Sequence, residues 1–574
     1  MVSSLQGCRC TLYACTDTFP RAAPAVFIDQ RTTMKNKFYI NRLGYMTGVP
    51  KAIPCTVAGK TFQLVDTVSR STVFSGNFGE PITDKDSGDI VRIADITHFN
   101  TPGKYYIKSG YRRSGSFTIS EKPYSGIRKK VLRSLYLNRC GFDFDSTSGV
   151  FSHPACHREC HAPDGKAVDV SGGWHTMGGY ERDISFTSLV VADLLYTLRL
   201  FGDNLDDTEK ADILAEIRWG LEFMMKMQDT DGGVYSDVHT NAVSGPLRTM
   251  RPEADREPFY LGEKTCTAAL RMCSLAALGS VMFFKSDDPS DRAFARNLSR
   301  AAMKSWIYVT RLPEFNYYCS TQGGHDDDVY AKGTEFMWAV CEMYSLTGDE
   351  LFSTIIEKRC LTSRFWGFGD SHCGGFAALS YLLTDRPRKR VVDALIRRRI
   401  TERANVIYTA QAANGYRCSA AVGGGYSFGT NFRLLCNART NALAYLITGD
   451  ERHLRSTLDH ICYLLGSNPN GKAFITGNEH GFCHNPCHRL SASLSQDECI
   501  EGMVISGANT LRPDAFSKWN IKEDTPPACC YIDSIYSIST NEPGLHFSTP
   551  LLFLSAFLED IGKSTLNRIP SPAT

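Results

Sequence analysis

Long apolar runs are missing from this sequence. No stretch of 18 consecutive apolar residues occurs in its 574 positions, so no membrane-spanning helix is expected. The first thirty residues also lack the basic head and continuous apolar core of a secretory signal, which leaves export unsupported and makes a cytoplasmic location the expectation. Charge of one sign is scarce as well. Sixty-three Lys plus Arg stand against 61 Asp plus Glu, a formal net charge of +2, and no long block of either sign appears, so neither nucleic acid nor an acidic membrane is the expected partner. A neutral ligand suits such a surface. A repeated Cys-x-x-Cys framework is absent too. The 21 cysteines are scattered, and Cys273, Cys341, Cys436 and Cys462 fall inside apolar helical runs, where they read as small hydrophobes. That distribution argues against a disulfide scaffold in a chain of this size and for a reducing compartment.

What is present divides the chain in three. Residues 1–36 are compositionally odd and read as a leader, either a poorly ordered tail or an extension ahead of a natural start at Met34. From 37 to 120, short runs alternate apolar and polar residues between turns: Phe38-Tyr-Ile-Asn, Thr61-Phe-Gln-Leu-Val, Ile90-Val-Arg-Ile, Lys104-Tyr-Tyr-Ile-Lys and Ser116-Phe-Thr-Ile. Period two at this spacing predicts a β-sandwich. From 121 to 574 the period becomes helical, with amphipathic stretches at 186–201, 208–228, 265–284, 291–309, 334–358, 371–383, 391–412, 431–446, 451–466 and 548–561. Two turns are alike, Leu346-Thr-Gly-Asp-Glu350 and Ile447-Thr-Gly-Asp-Glu451, each with a glycine to end one helix and acids to start the next. About a dozen hairpin-joined helices suit an (α/α)6 toroid.

The most pointed local signal is Asp169-Val-Ser-Gly-Gly-Trp-His-Thr-Met-Gly-Gly-Tyr-Glu-Arg-Asp183, a glycine-dense turn ahead of an apolar helix. Loops of this kind commonly face a ligand. Trp174 and Tyr180 offer flat faces on which a sugar ring could stack, whereas a tight turn with a core tryptophan is the plain alternative. Asp-Val-Ser-Gly-Gly-Trp-His resembles the start of the active-site loop of glycoside hydrolase family 9, the inverting cellulase and cellodextrinase family, where Gly-Gly-Trp precedes Asp-Ala-Gly-Asp. The second aspartate of that motif is the family's general base. Here the four residues are Thr176-Met177-Gly178-Gly179, so Gly179 stands at the base position. Asn41-Arg-Leu-Gly-Tyr45, Ala94-Asp-Ile-Thr and Gly103-Lys-Tyr-Tyr similarly resemble the immunoglobulin-like module that precedes many family 9 domains. The resemblance implies a sandwich of that type, packed as a scaffold on an (α/α)6 barrel.

Cys140, Cys156, His157 and His175 are soft ligands near the glycine loop, with Cys160 and His161 close by. Two thiolates and two imidazoles would close a tetrahedral zinc site, but the spacing alone does not distinguish this from buried thiols and surface histidines. Arg139-Cys-Gly141, Ala155-Cys-His157 and Trp174-His175 each resemble positions that supply a structural zinc site in bacterial family 9 enzymes carrying this module. The resemblance implies the same here, with no open coordination position. The acidic run His325-Asp-Asp-Asp328 offers oxygens to calcium, although such sites need six or more converging oxygens and a solvated charge run is the simpler reading.

Towards the C-terminus, Asn485-Pro-Cys-His-Arg-Leu490 resembles the family's Pro-His-His-Arg loop, whose first histidine and arginine contact the sugar at the cleavage point. Arg489 and His488 are retained, while Cys487 replaces the first histidine, and a thiol cannot reproduce an imidazole's hydrogen bonds. Ser539-Thr-Asn-Glu542 leads to the family's general acid, Glu542, with Ile538 where an aromatic is expected and Ser548 where an asparagine is expected. An inverting glycosidase needs an acid and a base roughly 6.5–9.5 Å apart, and losing a positioned base typically costs about 10²–10⁴ in rate. Glu181 and Asp183 are the substitutes within reach, although Asp183 is placed to cap the following helix. The expectation is therefore a family 9-like protein acting on β-linked oligosaccharides of the cellodextrin or β-glucan type, with Glu542 as acid and a binding cleft that includes Trp174, Tyr180, Cys487, His488 and Arg489. Two competitors stand beside it: a catalytically silent carbohydrate-binding pseudoenzyme, and a glycosidase with an altered base or substrate, such as glucosamine-containing oligomers.

Overall fold

The computed structural model describes residues 36–241, 250–313, 327–360, 367–369, 372–494, 498–561, 566 and 568–571. The leader lies outside this set except for its last residue, and so do the side chains of the acidic run at 325–328.

The first domain is a two-sheet β-sandwich. One sheet orders Tyr45–Met46, Phe117–Ser120, Gly103–Ser109, Thr61–Asp66 and Thr72–Asn77, and the other orders Ala52–Cys55, Ile90–Asp95 and Ile82–Thr83. Alternation does the sorting: Phe62, Leu64, Ile107 and Ile119 from the first sheet meet Ile53 and Ala94 from the second. Phe38–Asn41, expected as a strand, keeps a single bridge from Phe38 to Cys55. The segment turns instead to the second domain, where Asn41 Nδ2 donates to Tyr124 Oη at 3.2 Å and Arg42 Nη2 to the Gly471 carbonyl at 2.6 Å.

The second domain is the expected helical toroid. Helices Ile184–Phe201, Cys266–Phe283, Asp327–Thr347, Gly374–Leu382, Thr430–Thr448 and Leu545–Asp560 make an inner ring. Leu545–Asp560 packs on Ile184–Phe201 and Thr430–Thr448, Ile184–Phe201 on Cys266–Phe283, and that helix on Asp327–Thr347. Gly374–Leu382 and Leu545–Asp560 are buried along their whole length, as expected of helices covered on all sides. Ile184–Asn204 and Cys266–Phe283 are apolar and long enough to cross a membrane, with a mean hydropathy of 1.5 over 18 residues, yet 78% of each window is buried inside the domain. They are core helices. Outer helices such as Asp207–Lys226, Pro289–Thr310 and Arg390–Ala412 bury only one face. Glu451–Leu464 is the exception, since the sandwich covers its outer side through Asn41 on Cys462 and Asp95 facing Arg455.

Two expectations are corrected. The stretch 334–358 is two helices, Asp327–Thr347 and Glu350–Cys360, broken at Gly348 with φ +72°, and Gly449 breaks the next hairpin the same way at φ +70°. Both glycines take the left-handed conformation that ends helices. The domain is also not purely helical after residue 124. Its loops form a five-stranded sheet in the order Ala167–Asp169, Glu159–His161, Phe259–Leu261, Asp237–Thr240 and Arg182–Asp183. Strands of two to four residues drawn from two separate inter-helix loops are too short to show a period of their own.

Candidate active site

The glycine loop is fixed by its carbonyls. Gly173 O accepts from Cys140 N at 2.9 Å and from Trp219 Nε1 at 2.7 Å, and His175 N donates to Asn138 O at 2.9 Å. Gly173 itself takes φ +67° against the Phe223 ring, where a Cβ would not fit. This pairing of 138–140 with 173–175 brings His175 to Cys140. Cys156 and His157 join them, and one ligand atom from each of the four residues lies within 4.8 Å of all the others. His157 Nδ1 is 3.9 Å from Cys140 Sγ, and His175 Nε2 is 3.7 Å from Cys156 Sγ. Zinc–sulfur bonds near 2.3 Å and zinc–nitrogen bonds near 2.0–2.1 Å put tetrahedral ligand atoms about 3.3–3.8 Å apart, so the four residues stand within about 1 Å of the spacing that ion requires. Asp255 Oδ2 stands 3.7 Å from His157 Nε2, longer than a hydrogen bond but on the side where an outer carboxylate orients a ligand of this kind.

Trp174 and Tyr180 do not offer faces to a sugar, because both are fully buried. Trp174 Nε1 donates to Glu216 Oε2 at 3.0 Å, and Glu216 pairs with Arg139 at 2.8 Å beneath the helices. Tyr180 packs on the imidazoles of His175 and His157, with ring centroids 4.8 and 5.3 Å away, and its hydroxyl donates to the Met250 carbonyl. These aromatics serve the metal-ligand cluster.

The residues of the C-terminal loop are also covered. His488 Nδ1 and Nε2 are occupied by Ser491 Oγ at 3.0 Å and Asn138 Oδ1 at 3.1 Å, and burial lowers its pKa to about 3, so the ring stays neutral. Arg489, 4% exposed, reaches Asp255 at 3.3 Å and lies over the Tyr180 ring. Cys487 is buried as a neutral thiol, its pKa raised by burial and by the nearby Glu542. In this structure none of the three presents a polar group to an open surface. Their loop backs the glycine loop instead, with Arg489 N donating to Gly178 O at 2.8 Å and Cys487 N to Asn541 O at 3.0 Å. The Cys487 carbonyl fills the space a Cβ on Gly178 would need.

Glu542 is only half-buried, and its carboxyl accepts from Gly178 N at 3.3 Å. Removal from water, reinforced by the charge of Glu181, pushes its pKa up to about 8. Such a group holds its proton at neutral pH and can give it to a leaving oxygen. Asp183 accepts from Phe186 N at 3.0 Å as the cap of the helix beginning at Ile184. It is thereby committed to the fold, with its pKa raised to about 6 by burial.

With acid, metal cluster and glycine loop brought together, the sequence is matched by two families: glycosyl hydrolase family 9 over residues 124–555, and the cellulase N-terminal Ig-like domain over residues 33–114. The chain belongs to glycosyl hydrolase family 9. Its class is that of the O-glycosyl hydrolases. It is 27% identical over 560 residues to a cellodextrinase from Butyrivibrio fibrisolvens, covering 91% of this chain and all of that protein. A metagenome-derived family 9 endoglucanase structure matches with a TM-score of 0.80 and 26% identity, over 91% of this chain and 99% of that one. A Zn-binding triple mutant of a family 9 endoglucanase matches at 0.78 and 25%, over 89% and 98%. Against the family pattern, two groups at the site escaped the sequence reading. Asp255, which links His157 to Arg489, carries no local signal. The Asp237–His239 pair does have one, the two-residue spacing that puts both side chains on the same face of a strand.

Proposed function

We propose that the protein hydrolyses β-linked oligosaccharides of the cellodextrin or β-glucan type with inversion of the anomeric centre, Glu542 supplying the proton to the leaving oxygen. The observation that carries this reading is the half-buried Glu542 carboxyl, held protonated to about pH 8 at the family's acid position. Cys140, Cys156, His157 and His175 would hold a structural zinc, which when bound supplies cross-linking rather than chemistry because all four coordination positions belong to the protein. The buried free thiols and the two cysteines in the ligand set support a reducing, cytoplasmic location.

A second reading, a silent carbohydrate-binding protein, is favoured by Gly179 and Cys487 at positions where the family has a base and a sugar contact. Time-resolved product analysis separates the two, using cello-, mixed-linkage, xylo- and glucosamine oligosaccharides with Glu542→Gln alongside. Cleavage by the parent, lost about 10²–10⁴-fold in the variant, is the expected result. Binding without cleavage across the panel would establish the silent reading.

A further inference from the structure

The glycine loop and the five-stranded sheet beside it carry acids and a histidine for which the family's chemistry has no stated use, and one of them, Glu181, stands over the vacant base position. A Cβ placed on Gly179 would collide with Oε2 of Glu181, so the Glu181 carboxylate occupies the space where an aspartate side chain at 179 would begin. The loop's own hydrogen bonds put it there. Thr176 N and Thr176 Oγ1 both donate to the Glu181 carbonyl, at 3.1 and 3.2 Å, which closes the turn and brings residue 181 back over 179. On the neighbouring glycine, Glu542 Oε1 stands 3.2 Å from where a Cβ on Gly178 would lie. Adjacent Cα atoms are about 3.8 Å apart, so the two carboxyl oxygens, each within a few ångströms of its own Cβ position, lie no more than about 12 Å from each other. That span includes the roughly 6.5–9.5 Å of an inverting acid–base pair.

The adjoining strand supplies support. Arg182 pairs with Val238 and Asp183 with Asp237 in antiparallel register, and continuing that register sets His239 opposite Glu181. His239 Nδ1 is held 2.6 Å from Asp237 Oδ1, and Asp237 Oδ2 also accepts from Ser236 Oγ at 2.9 Å. The ring is thereby oriented by a carboxylate, and the charge of Glu181 also acts on it.

We propose that Glu181 is the general base of this enzyme, taking the place of the family's aspartate, and that the Asp237–His239 pair positions it. The proposal rests on the reading of Glu542 as acid. A water molecule attacks the anomeric carbon from the face opposite the leaving oxygen, and Glu181 accepts one of its protons. The bond from the anomeric carbon to the leaving oxygen breaks as Glu542 protonates that oxygen. A new carbon–oxygen bond forms to the water, giving the inverted hemiacetal and a free hydroxyl. Solvent then returns a proton to Glu542 and removes one from Glu181. Glu181 is a catalytic residue in this scheme, whereas His239 and Asp237 are positioning residues.

The test measures kcat and KM on cellotetraose for the parent, Glu542→Gln, Glu181→Gln, the double variant Gly179→Asp/Glu181→Gln, and His239→Gln. Glu181→Gln is expected to lower kcat by about 10²–10⁴-fold and leave KM within a few-fold. In the double variant an aspartate at the family's own base position should restore at least tenfold of that loss, because the uncharged amide of the Glu181→Gln side chain, the far end of a flexible chain, can swing aside from the space above Gly179. His239→Gln should lower kcat roughly tenfold with KM unchanged, and a change confined to KM would overturn its positioning role. Parent-like kcat in Glu181→Gln, or a loss that Gly179→Asp leaves unrepaired, would overturn Glu181 as base. A parent no faster than Glu542→Gln would overturn the acid reading underneath, a separate outcome from failure of the base alone.

Discussion

The two halves of one loop behave differently. From Asp169 to His175 the chain resembles the family's loop, and these residues build structure: Gly173 receives Cys140 and Trp219, Trp174 anchors Glu216, and His175 completes the four-residue ligand cluster. From Thr176 to Gly179 both family aspartates are gone, although Gly178 still packs tightly against the Cys487 carbonyl. The loop therefore stays tightly packed where it carries no carboxylate. Residues that hold the fold and residues that do the chemistry are separable even when they are adjacent in sequence, because the former are constrained by packing at every atom and the latter only by the reaction.

The largest effect that would sharpen this contrast is on the first half. Cys156→Ala, which leaves three donors for zinc, or prolonged chelation, which removes the ion, should lower the melting temperature by at least 10 °C, since a structural ion contributes to folding outright. Elemental analysis should find one zinc per chain in the parent, and a metal-free parent of unchanged stability would break the claim. Next, Trp174→Ala should cost about 3–5 kcal/mol, the range for emptying a large core site. It should leave oligosaccharide affinity unchanged in the molecules that fold, as calorimetry and denaturant titration together would show. A selective loss of sugar binding would return Trp174 to the cleft.

The second half responds to pH. Glu542 must be protonated to act, and burial with the charge of Glu181 raises its pKa from 4.5 to about 8. Activity should therefore hold through neutrality and fall about tenfold per pH unit above pH 8. The same raised value means that the folded state binds more protons than the unfolded state between pH 4.5 and 8, so this group's contribution to stability is lost as pH rises through that window. A rate profile whose basic limb begins near pH 5 would contradict the raised value. The smallest effect belongs to Asp183. Asp183→Ala should cost about 0.5–2 kcal/mol as the loss of a helix cap without altering kcat, which contrasts with the loss expected at Glu181, two residues earlier.

Much of this was legible in the residues. Period two announced the sandwich, and helical period with the two Thr-Gly-Asp-Glu turns announced the toroid, where Gly348 and Gly449 take the left-handed caps their positions called for. The candidate acid Glu542, the candidate ligand set Cys140, Cys156, His157 and His175, which the structure brings together, and the glycine at 179 were singled out by motif likeness. The environment of the ring residues was not legible, since a tryptophan beside two glycines reads equally well as a sugar platform or as core, and only Glu216 beneath it decides the matter. The short five-stranded sheet was hidden for a different reason. Its register joins residues from 159 to 261, so that Arg182 and Asp183 meet Val238 and Asp237 through long-range pairing that no local pattern encodes.

The most direct test of the central claim is the anomeric form of the first product, followed by proton NMR during cleavage of cellotetraose by the parent protein. An acid–base pair at Glu542 and Glu181 working through water should release the α-anomer first, with the β-anomer appearing only by later equilibration. Initial release of the β-anomer, or no new reducing end beyond that formed by Glu542→Gln, would contradict it.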